Sequence, residues 1–248
     1  MFKQLHRATI LACLVVSGTA WGGYYPMYGS WDQPNGLGSP ITLTYSYSNL
    51  FDGGIVSSAG QSLTADIMRS AFEQAFTDYA AVLPIHFVEV ADKGPLPETG
   101  QYDPTGLANI RIGVVSHLDD ANAYAYFPQD TDSSGLAGDV VFNGQRFGLG
   151  WTQIVFYSVA QHELGHSLGM GHYINADAPT ASALANLTYT YTGPILPLDS
   201  MMISALQSVY GAGIGSVTPL SAVPEPDTWA LLLFGLPLLS FARERKNV

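Results

Sequence analysis

The segment HELGHSLGMGH, His162 to His172, carries three of the chain's six histidines. At about 3.6 residues per helical turn, His162 and His166 lie one turn apart on one face, so both imidazoles reach one small cation. The upstream run TQIVFYSVAQ predicts that helix, with Thr152 as its N-cap. Gly169 can take the positive φ that ends it. The chain then turns back and brings His172 in from outside the helix. Three neutral imidazoles leave one corner of a tetrahedral zinc open, which is the donor set of a catalytic site; a structural site is closed by a fourth protein ligand. Glu163 follows the first histidine, so it points in a neighbouring direction and need not bind the ion. It is expected to act as general base, taking a proton from water and returning it to a leaving amine, while the ion stabilises an oxyanion.

Those ligands need a sheet and helices to hold them. Leu63, Ile67, Ala71, Ala75 and Tyr79 recur every four residues, with Phe72 and Phe76 beside them, which predicts a helix with a broad apolar face. Pro84 stops it, and IHFVEV alternates as a strand in which His86 faces away from Ile85 and Phe87 as an ordinary half-exposed residue. NIRIGVV reads as another strand. Strands interleaved with helices argue for a mixed sheet carrying helices.

With these elements in place, the histidine segment resembles the extended zinc motif of the metzincin peptidases. The flanking chain resembles the matrixin (interstitial-collagenase-like) branch. ITLTYSYSN resembles its first strand, LTADIMRSAFEQAFTDYAAVLPIHFVEV its first helix and second strand, and ANIRIGV its third strand. AYAYFP and AGDVVFN resemble the last two strands, and LDSMMISALQSVYG the closing helix. The likeness runs from about Ser39 to Gly211. It implies an α+β, zincin-like fold: a twisted mixed sheet of about five strands with three main helices, the active-site helix carrying the motif. It implies a zinc endopeptidase with His162, His166 and His172 on the metal and Glu163 as base. A protein or peptide substrate would lie extended along AYAYFP as an added strand. The segment after His172 would wall part of the primary specificity pocket.

The resemblance also marks departures. Matrixins carry a second, structural zinc and a calcium. His117 and Asp119 match the first two ligands of that zinc, but Tyr124 and Val141 stand where its other histidines would be, so the second zinc is expected to be absent. In DTDSSGLAGD, Asp139 can supply a carboxylate, and Gly135 and Ala137 carbonyl oxygens, to a calcium ion; a plain acidic turn is the alternative. The methionine that metzincins place beneath the zinc would be Met201 or Met202. If both fall in the closing helix, the turn lies near Ala185 to Thr188 and holds no methionine. The chain's single cysteine, Cys13, lies in the leader and cannot latch the zinc of the mature protein.

The ends predict traffic. Residues 1–22, with Lys3 and Arg7 before an apolar run and small residues, read as a secretory signal peptide. Residues 23–38, with their Gly, Pro and aromatic content, read as a flexible arm, either packed across the domain or, the preferred reading, a disordered N-terminus. The catalytic domain is expected over 39–215 and a linker over 216–222. Residues 223–248, with VPEP, a short apolar run and a basic end, resemble the PEP-CTERM sorting signal of Gram-negative bacteria. That implies an exosortase-type processing enzyme as partner, transient membrane association through the tail, and a destination at the cell envelope, cell surface or biofilm matrix; a plain membrane anchor is the competing reading. Between Trp21 and Ala242 four Lys/Arg stand against nineteen Asp/Glu, about −15 in all. Such a surface disfavours nucleic acid and anionic membranes. A monomer is expected. The alternative to the enzyme is a cell-surface or matrix protein that keeps zinc with little or no turnover.

Overall fold

The computed structural model describes residues 24–57, 63–94, 96, 108–118, 121–128, 135–144, 150–174 and 197–220. The expected signal peptide and sorting tail lie outside them.

Among the described residues, six strands form one sheet in the order β4-β5-β3-β1-β2-β6. The strands are β1 (Ile41–Tyr47), β2 (Ile85–Glu89), β3 (Ile110–Val115), β4 (Ala123–Ala125), β5 (Val140–Asn143) and β6 (Ser216–Thr218). All neighbours pair in parallel except β4, which runs antiparallel to β5. Three helices accompany them: α1 (Ala65–Ala80), α2 (Gln153–Ser167) and α3 (Ser200–Tyr210). This is the mixed α+β architecture expected, with one strand more. The additional strand, β6, falls in the stretch expected as a linker. It is three residues long, lacks an apolar alternation and is largely exposed, so periodicity carries no trace of it. Its place is fixed by pairing: His86 stands opposite Ser216, and Leu220 N–H donates to the Glu89 carboxylate at 2.9 Å.

α1 supplies the crossover that two parallel neighbours, β1 and β2, require. Its N-cap Thr64 accepts from the Ile67 N–H. Its buried face is Met68, Ala71, Phe72, Ala75, Phe76, Tyr79 and Ala80, close to the sequence expectation. Phe72 meets Phe142 of β5 at 5.7 Å and Phe156 of α2 at 6.0 Å between ring centroids, so one aromatic cluster ties helix, strand and helix together. Aromatic pairs at this spacing add to the area they bury.

α2 is apolar nearly all round and buried along most of its length, as expected for a helix enclosed by its own domain. Thr152 caps it by accepting from the Val155 N–H. Tyr79 of α1 donates to the Gln161 carbonyl at 2.8 Å, one residue before the first motif histidine. Gln161 and Tyr157 in turn both bond the Asp78 carboxylate. These bonds fix α2 in rotation, which decides where its histidines point. The helix ends at Ser167 with Leu168 as its C-cap, and Gly169 follows with φ +93°, the conformation its position predicted.

Candidate metal centre

His162 and His166 project from the last two turns of α2, and His172 comes from the loop after Gly169. Their Nε2 atoms form a triangle of 3.0, 3.1 and 3.2 Å. Zinc–nitrogen bonds of about 2.0–2.1 Å at tetrahedral angles require ligand nitrogens about 3.3 Å apart. The three side chains therefore fit one zinc ion. They are the one group of three or more His, Cys, Asp or Glu among the described residues with ligand atoms close enough to share a metal.

The tautomer is consistent with that role. His166 Nδ1 lies 2.6 Å from the Met170 carbonyl, an acceptor only, so Nδ1 carries the proton and Nε2 presents its lone pair to the centre of the triangle. Burial lowers the His166 pKa to about 4, and the neighbouring His172 pushes the same way, against the Met170 bond. A neutral imidazole is the ligating form.

Glu163 is buried, and its Oε2 makes no hydrogen bond. Burial raises its pKa to about 8. It shares a cleft of about 520 Å³ with all three histidines. One side of that cleft is the sheet edge at β4, with Ala123, Tyr124, Ala125 and the following Phe127; Tyr28, Gly171 and Ile174 also line it. Phe127 stands edge-on to the His166 ring at 5.7 Å, and Tyr28 packs on Phe127 at 5.0 Å. The structure thus brings together His162, Glu163, His166 and His172 beside the expected edge strand. Sequence reading missed the Met170 carbonyl, Phe127 and Tyr28. The glycine at 171 was the available signal for Tyr28, since a glycine with no turn to make suggests a close neighbour.

Tyr124 and Val141 are cross-strand partners on β4 and β5, so the positions of the two missing structural-zinc histidines face each other with no ligand atom from Val141. His117 is exposed, and Asp119 lies outside the described residues. Gly135 has φ +75°, and the Asp139 side chain bonds Arg111. That group is buried, accepts from the Arg111 backbone N–H at 3.0 Å and lies 3.9 Å from the Arg111 guanidinium. Arg111 is thus a partner of the one carboxylate among the expected calcium donors. Met201 and Met202 fall in the first turn of α3, where Asp199 caps both their N–H groups; Met201 is exposed and Met202 is buried in the core. Residues 185–188 lie outside the described set.

A family model described as matrixin matches residues 54–211. This chain belongs to the matrixin family. It is 29% identical over 174 residues to an interstitial collagenase of Sus scrofa, covering 64% of this chain and 32% of that protein. The corresponding collagenase of Bos taurus is 28% identical over 178 residues, with 64% and 32% covered. Matrix metalloproteinase-20 of Homo sapiens is 28% identical over 178 residues, with 68% and 31% covered. This matrixin thus spans about a third of the length of these relatives.

Proposed function

We propose that this matrixin is a zinc-dependent endopeptidase. The observation that carries the reading is the triangle of three Nε2 atoms with the unpartnered Glu163 carboxylate in the same cleft. His162, His166 and His172 hold the ion. Zinc in such a site supplies Lewis-acid polarisation of a peptide carbonyl and of a water molecule.

The chain's own groups do the rest. The exposed edge at β4 offers backbone hydrogen bonds to an extended peptide, which lays a scissile bond across the cleft. Glu163, with no protein partner, is available to take the proton of the attacking water. The same carboxyl then gives that proton to the amine nitrogen as the C–N bond breaks. Its pKa of about 8 without metal reflects burial, and a neighbouring cation favours the ionised form that a base needs. The Met170 carbonyl keeps His166 in the ligating tautomer throughout. Export through the leader and sorting by the PEP-CTERM-like tail complete the proposal, with protein or peptide substrates outside the cell.

The test is cleavage of a broad peptide library and casein by the zinc-loaded chain, alongside Glu163→Ala and a zinc assay of both. One zinc in each and turnover in the wild type alone supports the enzyme. Wild type that binds one zinc and cleaves nothing moves the reading to a zinc-containing surface protein.

A further inference from the structure

From Tyr24 onward the N-terminal arm is laid along the loop that carries His172. Four backbone hydrogen bonds join them: Tyr24 N to Ile174 O at 3.0 Å, Ile174 N to Tyr24 O at 2.8 Å, Gly171 N to Pro26 O at 2.7 Å and Tyr28 N to Gly169 O at 2.7 Å. The pairing is antiparallel, with Tyr24 opposite Ile174 and Met27 opposite Met170. Further along, the Trp31 indole N–H donates to the Ser167 carbonyl at the end of α2, at 2.9 Å. Tyr25 is buried and donates to the Asp199 carboxylate at 3.2 Å.

The contact is close enough to explain two glycines of the metal motif. A Cβ at Gly169 would come within 2.2 Å of the Gly29 carbonyl oxygen. A Cβ at Gly171 would come within 2.3 Å of the Tyr28 ring and 2.9 Å of Pro26. Gly169 also needs its positive φ, but Gly171 has no positive φ to account for it. Its lack of a side chain makes room for the arm.

His172 is the exposed member of the triad, and it sits between two residues, Gly171 and Ile174, that the arm bonds directly. His162 and His166 are held by a buried helix. The third ligand rides on a loop whose outer support is the arm. We propose that residues Tyr24 to Trp31 are positioning residues for His172, holding the third zinc ligand in place through the backbone of its loop. This rests on the reading that the three histidines bind zinc. Fixing a ligand before the metal arrives raises affinity, and losing such support typically weakens metal binding about 10–100-fold.

The experiment is a zinc titration of the full chain against a chromogenic chelator at neutral pH, with the cobalt(II) absorption spectrum as a second readout. Tyr28→Pro removes the N–H that bonds Gly169, and Tyr28→Phe keeps both that N–H and the ring. The expected result is about 10–100-fold weaker zinc binding in Tyr28→Pro with an altered cobalt spectrum, and a much smaller loss of zinc affinity in Tyr28→Phe than in Tyr28→Pro. Each is repeated in a His172→Ala background. If the arm acts through His172, Tyr28→Pro adds nothing once that ligand is gone. An undiminished affinity in Tyr28→Pro, or a loss of equal size with and without His172, overturns the inference. If Tyr28→Pro does not fold, Gly171→Ala, which pushes a Cβ into the arm, is read by the same cycle. A wild-type chain that binds no zinc instead overturns the metal reading itself, so the two failures are distinct.

Discussion

Two carboxyls of this matrixin are nearly equally buried, and they sit in opposite circumstances. Glu163 is 5% exposed and Asp139 is 4% exposed. Burial drives both pKa values up to about 8. Asp139 has company: Arg111 offers it a backbone N–H and a nearby guanidinium, and Arg111 is itself clamped by Asp92 through two hydrogen bonds of 2.9 and 3.1 Å. Glu163 has an oxygen with no partner, in a cleft beside three convergent imidazoles. Burial and a displaced pKa therefore do not mark a reactive site by themselves. The distinguishing feature is an unspent hydrogen-bonding capacity facing a space that a ligand can enter. The Asp92–Arg111–Asp139 group spends its capacity internally and joins β3 to the chain on either side of it.

Substitutions that treat the two regions alike should give opposite results. Glu163→Ala is expected to lower kcat by about 10²–10⁴-fold on a peptide substrate while leaving bound zinc near one per chain. A retained kcat would remove Glu163 as the base. Arg111→Leu should leave the cleft chemistry in place and instead destabilise the fold by about 3–5 kcal/mol, measured by urea unfolding, because it strands the ionised Asp92 carboxylate without its cation. A variant as stable as wild type would show that the buried group is not structural.

A milder change sharpens the contrast. Asp139→Asn keeps an acceptor for the Arg111 N–H and should cost no more than about 1–3 kcal/mol. Added calcium should shift the melting temperature of wild type and Asp139→Asn equally, since that carboxylate already faces Arg111; a shift confined to wild type would mark the turn at 135–139 as a calcium site. The smallest effect is one of pH. Burial alone would raise the Asp92 pKa, but the bonds from Arg111 and Ser46 and the arginine's charge outweigh it and hold it below the usual carboxylate value. A depressed folded-state pKa adds stability that is complete above the unfolded value of about 3.9 and is lost as pH falls through the folded one. Asp92→Asn should therefore flatten the fall in urea stability below about pH 4 and lower stability at neutral pH. Parallel curves for the two proteins would contradict this.

The sequence by itself determined the local chemistry. The i, i+4 histidines, the glycine that ends α2, the Thr152 cap and the apolar face of α1 follow from spacing and backbone preference, which act within a few residues. The three clustered histidines and Glu163 were legible for the same reason: eleven residues span all of them. What depends on contacts between distant parts of the chain was not legible. β6 exists because β2 has an edge to pair, and its three residues carry no pattern of their own. Asp139 reads as a calcium donor in its loop and becomes an arginine's partner only once β3 lies alongside. The arm is too irregular to announce a structure, yet it finds four backbone partners on a loop about 145 residues away in the chain. Hydrogen bonds between such segments are specified by neither sequence alone, and the tertiary fold that brings their backbones together decides them.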